Sequence, residues 1–156
     1  VEKYLIHDFK DSYGREPIIR KTKKGTLLCV CLSGGNWEPE NANVVKILKS
    51  YDDGKTWTDP QVLFSHNSRG VWSSEIFIND DKIMIIVQTY NAESYYRELQ
   101  TFHSISYDDG KTWSAPLLLD ERELVSYPDA VQTPDDQIYI IYDRERRFFT
   151  KRAARC

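Results

Sequence analysis

The chain has 156 residues, enough for one domain on the usual size prior, and carries 21 Lys and Arg against 24 Asp and Glu, a formal net charge of −3. That mild acidity argues against a nucleic-acid partner, because neutralising phosphates needs a concentrated basic surface. The longest apolar run, Leu27 to Leu32, is far shorter than the roughly 20 residues of a membrane-spanning helix, so no membrane span is expected.

The chain starts at Val1 and shows no basic, apolar and small-residue order of a signal peptide. A cytoplasmic location is expected if that start is natural, and a secreted one if a leader has been removed. Ten Tyr, six Phe and four Trp beside a single Met favour pleated sheet over a helix bundle. Apolar alternation and turn residues then give strands at Pro17–Thr22, Gly25–Ser33, Val44–Ser50 and Gln61–Ser65. Cys29 and Cys31 lie two apart in the second of these and so share a face. With no further Cys/His pattern to complete a zinc site, they read as small buried side chains. The loop Ser33–Asn41 carries paired glycines and two acids, Glu38 and Glu40, and reads as the most mobile in the chain. Further strands follow at Ser74–Ile78, Lys82–Tyr90, Thr101–Ser106 and Leu117–Asp120, with only a weak helical period near Ser94–Thr101. The chain is all-β.

A repeat organises these strands. Ser-Tyr-Asp-Asp-Gly-Lys-Thr-Trp occurs unchanged at Ser50–Trp57 and Ser106–Trp113, 56 residues apart. The strand openings Leu27 and Ile83 are also 56 apart, and a third copy follows at Ile138. A period near 50 points to propeller blades rather than solenoid turns. Four antiparallel strands fill each period, placing blades at about 15–66 and 72–121, a partial one at 126–147, and a basic tail at 148–156. The octapeptide suits a hairpin: Asp accepts from turn amides, Gly supplies a positive φ, and the Trp packs beneath.

The two octapeptides resemble the Asp-box, or BNR repeat, of sialidases and related six-bladed propellers, matching at every defined position. Tyr13–Ile18 is similar to that family's Arg-x-Pro entry motif, with Glu16 in place of the usual apolar residue, and Ser126–Val131 resembles a closing blade. The resemblance implies a glycan or oligosaccharide substrate and an axial site. There, an arginine cluster holds an acidic sugar and a tyrosine activated by a glutamate attacks the anomeric carbon. It places Arg15 as the first arginine of the cluster. It places a general acid in the loop after the second strand, where Glu38 and Glu40 are the available carboxylates and Trp37 is an aromatic able to desolvate one of them.

Counting back from the apolar strands aligns Pro17 with Pro128 and Glu16 with Tyr127. Arg15, Glu75, Tyr127 and Asp129 then all start an innermost strand, with Tyr127 as nucleophile and Glu75 as its base. Arg144, Arg146 and Arg147 are further candidates for carboxylate contacts. Nothing implies a cofactor or a metal. Two readings stay open: a sialidase-like glycoside hydrolase, or a non-catalytic propeller unit that binds glycans or proteins through Tyr-rich loops such as Tyr90–Tyr96. Fewer than three blades leave apolar edges, which fit a fragment, pieces of a longer chain, or copies that self-associate to complete a ring.

Overall fold

The computed structural model describes residues 3–10, 12–94, 98–135 and 137–144. Among the described residues, ten strands form three antiparallel sheets in strict chain order. The first holds β1 (Gly14–Lys21), β2 (Leu27–Ser33), β3 (Val44–Ser50) and β4 (Gln61–Phe64). The second holds β5 (Gly70–Asn79), β6 (Lys82–Tyr90), β7 (Gln100–Ser106) and β8 (Leu117–Asp120), and the third β9 (Val125–Gln132) and β10 (Ile138–Arg144). The expected strands are all present, with β5 starting four residues earlier than alternation suggests. The weak helical period yields only a 3-10 turn at Ala92–Ser94. Arg146, Arg147, the tail 148–156 and the tyrosines Tyr95 and Tyr96 lie outside the described residues.

The sheets stack face to face as successive blades. Leu28, Val30, Val45 and Ile47 from the first meet Val71, Ile76, Ile83, Ile85 and Val87 from the second in one buried cluster. Apart from Val71 and Ile76, which are five apart on β5, these are alternate residues of their strands, so period-2 patterning feeds a shared core. Complete burial of a Leu or Ile side chain stabilises by about 1.5–3 kcal/mol. Cys29 and Cys31 point to the opposite face, as their spacing predicts, with Leu48 beside them. There the segment before β1 covers them through Ile6 and Phe9, and Trp57 closes the margin. Both thiols are free, and burial pushes that of Cys31 up to about 11.

Each octapeptide is a hairpin turn built by its own side chains. Asp52 accepts from the Thr56 hydroxyl at 2.6 Å and the Thr56 amide at 2.9 Å, and Ser50 Oγ accepts from the Gly54 amide at 2.8 Å. Asp108, Thr112, Ser106 and Gly110 repeat the pattern at 2.6, 2.8 and 2.9 Å. Asp53 and Gly54 take φ of 58° and 88°, the left-handed region that a tight turn demands. Trp57 and Trp113 are half-buried, and each indole N–H caps the carbonyl of the turn glycine. The second turn also clamps the sheets together: Thr26 Oγ1 donates to Asp109 Oδ2 at 2.6 Å, and Lys49 Nζ to the Gly110 carbonyl at 2.5 Å.

Among the described residues the third sheet has two strands, and Val131, Tyr139 and Ile141 on it are 58–67% exposed.

Candidate functional site

The first strand of each sheet lies innermost, with β1 touching β5 and β5 touching β9. All three carry a β-bulge near their start. Between Arg15 and Ile18 two residues face one on β2, and between Ser126 and Asp129 two face one on β10. On β5 the extra residue falls between Ser73 and Glu75. A bulge bends the strand and re-aims the neighbouring side chains. Glu16 and Tyr127, aligned by counting alone, both sit in the bulge with left-handed φ of 54° and 50°. Such backbone costs a non-glycine residue about 1–2 kcal/mol, and this kind of strain clusters at functional sites.

The register refines the alignment beyond the bulge. Ile18 pairs with Val30, Glu75 with Ile86 and Asp129 with Ile141, at corresponding points of β2, β6 and β10. Glu75 and Asp129 are therefore equivalent positions of successive blades. Both carboxylates turn back onto the chain: Glu75 Oε1 accepts the Ile76 amide at 2.7 Å, and Asp129 Oδ1 the Ala130 amide at 2.8 Å. Together with Glu16, Trp72, Ser73 and Tyr127 they line one cleft of about 410 Å³.

Three of the five residues singled out in the sequence, Glu75, Tyr127 and Asp129, thus share this cleft. Arg15 and Glu38 do not line it. The Arg15 guanidinium donates to the Tyr13 hydroxyl at 3.1 Å and lies 3.7 Å from the Glu38 carboxylate. The Tyr13 contact, followed by the charges of Glu38 and Glu16, raises its pKa. Arg15 borders instead a smaller hollow against Tyr4–Phe9. The Glu38 side chain is 14% exposed, whereas Trp37, the expected desolvating group, is itself 62% exposed. Arg144 ends β10.

Several residues that shape this end of the molecule escaped the sequence reading. Arg20 reaches across from β1 and donates to Glu75 Oε1 at 2.6 Å, a charge-assisted contact between the first two sheets. The loop 34–43, which takes in most of the stretch 33–41 expected to be mobile, is built around a fully buried Asn43. The Asn43 amide donates to the Gly34 and Trp37 carbonyls at 2.5 and 3.0 Å, and its oxygen accepts from the Glu40 amide at 2.9 Å and from the Tyr90 hydroxyl. Gly70 permits this packing, since a Cβ there would stand 2.5 Å from the Glu40 carbonyl and the Tyr90 ring. Arg69 alongside is largely buried and ties Thr89 Oγ1, at 2.9 Å, to the Glu98 carbonyl.

Residues 16–140 match the BNR repeat-like domain, and the chain belongs to that family. No curated protein matches it by sequence. Among solved structures it resembles a protein of unknown function from Dyadobacter fermentans, with a TM-score of 0.71 and 19% identity over 90% of this chain and 46% of that one. It also resembles a Penicillium chrysogenum alpha-L-arabinanase complexed with arabinobiose, at TM-score 0.58 and 18% identity over 81% of this chain and 40% of that. An alpha-L-arabinofuranosidase from Fusarium graminearum in complex with an iminosugar inhibitor gives 0.56 and 18%, over 85% and 39%. These likenesses show a shared fold, blades of antiparallel strands in a propeller arrangement. The chain spans less than half the length of each of these structures.

Proposed function

We propose that this chain supplies part of the sugar-binding cleft of a glycosidase-type propeller that acts on glycans. One observation carries the reading: the bulged strands β5 and β9 bring Glu75, Tyr127 and Asp129 to a single cleft that the bulge of β1 also lines. In the proposed reaction the Tyr127 oxygen forms a bond to the anomeric carbon as the glycosidic C–O bond breaks. The phenolic proton passes to Glu75, and Asp129 protonates the departing oxygen. Water then releases the sugar, Asp129 taking its proton and Tyr127 recovering its own. Asp129 takes the acid role first expected of Glu38 because Glu38 is held by Arg15 away from the cleft lining.

The finer reading, a terminal acidic sugar such as sialic acid, draws its support from Arg15 before Pro17. The reading as a non-catalytic binding module draws support from the 58% exposure of Tyr127, a ring available for stacking on a sugar face. Self-association of the chain belongs to the same proposal, supported by the exposed apolar side chains Tyr139 and Ile141 of β10.

Wild type, Tyr127→Phe, Asp129→Asn and Arg15→Ala are to be compared on aryl arabinofuranosides and aryl sialosides, with binding followed in parallel. Loss of turnover by about 10²-fold or more in the first two variants is expected, since each removes a proton-transfer or nucleophilic role. Binding without turnover in the wild type selects the module reading. Neither binding nor turnover overturns the proposal.

A further inference from the structure

We propose that copies of this chain join head to tail, the exposed face of the third sheet in one copy packing on the outer face of the first sheet in the next, an inference that rests on the self-association reading. The segment 3–10 competes for that outer face. The repeat supplies the geometry, because the chain already contains one such contact. Leu28 and Val30 of the first sheet share a buried cluster with Ile76, Ile85 and Val87 of the second. Two periods on, at a distance of 111 residues, Leu28 and Val30 correspond to Tyr139 and Ile141, which are exposed. One period back, at a distance of 56 residues, Ile85 and Val87 correspond to Cys29 and Cys31. Ile19 pairs with Cys29 as Ile76 pairs with Ile85, so it stands in the place of Ile76. The third sheet thus presents the face that the first sheet turns toward the second. The first sheet carries, on its outer side, the face with which the second receives it. A contact between two different surfaces of one chain is heterologous and passes from copy to copy until a ring closes.

The receiving face is partly occupied. Ile6 and Phe9 lie over Cys29, Cys31 and Leu48, where a neighbouring sheet would pack. Residues 3–10 belong to no strand, and Tyr4 and Leu5 within them are exposed. A hollow of about 310 Å³ remains between this segment and the sheet, so many dispersion contacts that a full sheet would make are missing. Ile19, on the same face, is left exposed. A sheet that fills the hollow therefore displaces the segment at small cost.

Sedimentation over a range of concentrations tests the contact with one substitution on each face. Ile19→Lys and Ile141→Lys are each expected to weaken association about tenfold or more, because each puts a charge into an apolar contact. Their equimolar mixture is expected to form a one-to-one pair, since the first variant keeps a sound third sheet and the second a sound first sheet. Phe9→Ala and Gly14→Ala disrupt the segment by separate routes, the latter because a Cβ on Gly14 would stand 2.6 Å from the Phe9 ring. Both are expected to tighten association about tenfold, as the face no longer has to be uncovered before it is used. Undiminished association in Ile19→Lys, or no pairing in the mixture, overturns the head-to-tail contact while leaving self-association through another surface. Association that is unchanged or weakened in both segment variants overturns the competition. Chains that stay monomeric at every concentration, with the segment intact or disrupted, overturn the self-association reading itself.

Discussion

Replacing Asn43 by alanine tests whether one buried amide holds the loop 34–43 against the second sheet. Four side-chain hydrogen bonds are lost, and their environments set the cost. Tyr90 is wholly buried, so its hydroxyl loses the Asn43 acceptor with no water to replace it, at about 1–3 kcal/mol. The Gly34 carbonyl and Glu40 amide belong to half-buried residues and contribute about 1 kcal/mol each, while Trp37 is exposed and its carbonyl rehydrates. The sum is about 3–5 kcal/mol, a large part of the roughly 5–15 kcal/mol that holds a domain together. In urea unfolding, with a slope near 2 kcal/mol per molar, the midpoint falls by about 2 M. Tyr90→Phe alone is expected to cost about 1 kcal/mol, because Asn43 keeps its other three partners. The double variant is expected to cost less than the two singles added together, since phenylalanine removes the hydroxyl that lost the Asn43 acceptor. An unchanged midpoint in Asn43→Ala, or strict additivity in the double variant, refutes the reasoning.

The octapeptide turns make stability depend on acid pH. The Thr56 contacts and the Ser50 hydroxyl lower the Asp52 pKa to about 2, and Asp108 is lowered in the same way by Thr112. A carboxyl depressed in the folded state stabilises fully above its unfolded pKa near 4, and that contribution is lost as pH falls from there toward 2. Urea midpoints are expected to drop over that window and to drop less in Asp52→Asn and Asp108→Asn; a drop of equal size in these variants refutes the assignment. The exposed Val131, Tyr139 and Ile141 of the third sheet are expected to make the chain associate as its concentration rises, and Ile141→Lys is expected to weaken that association in sedimentation. Association of undiminished strength in Ile141→Lys places the contact elsewhere.

The parts legible in the sequence are those whose contacts are local. Ser50, Asp52, Gly54 and Thr56 bond within four residues, so an eight-residue string carries the entire turn. Strand parity put Cys29 and Cys31 on one face because side chains alternate with period two. The bulges resisted the same logic. One extra residue reverses the parity of the rest of its strand, so alternation alone could not show that Glu75 and Asp129 occupy the same register position as Ile18. The long-range pairs were out of reach for a different reason. Arg20 and Glu75 are 55 residues apart and Asn43 and Tyr90 are 47 apart, and no local pattern marks either partner. The loop 34–43 looked mobile because its glycines are visible in sequence, whereas the amide that fixes it is visible only through its partners.

The repeat itself separates scaffold from site. Where the first two copies agree, at the octapeptide and the strand cores, the shared residues close turns or fill the interface between sheets. Where they disagree at equal register, the backbone supplies a fixed position and the side chain is free to differ. Ile18, Glu75 and Asp129 occupy one such position on three blades, an apolar residue in the first and carboxylates in the next two. No packing requirement common to the blades accounts for that change, since isoleucine satisfies the position in the first. All three residues line the same cleft, and Arg20 on the isoleucine-bearing strand supplies the cation that Glu75 pairs with. The bulge beside this position re-aims the strand start without disturbing the pairing on either side, so the side chains there can vary while the blade below stays the same.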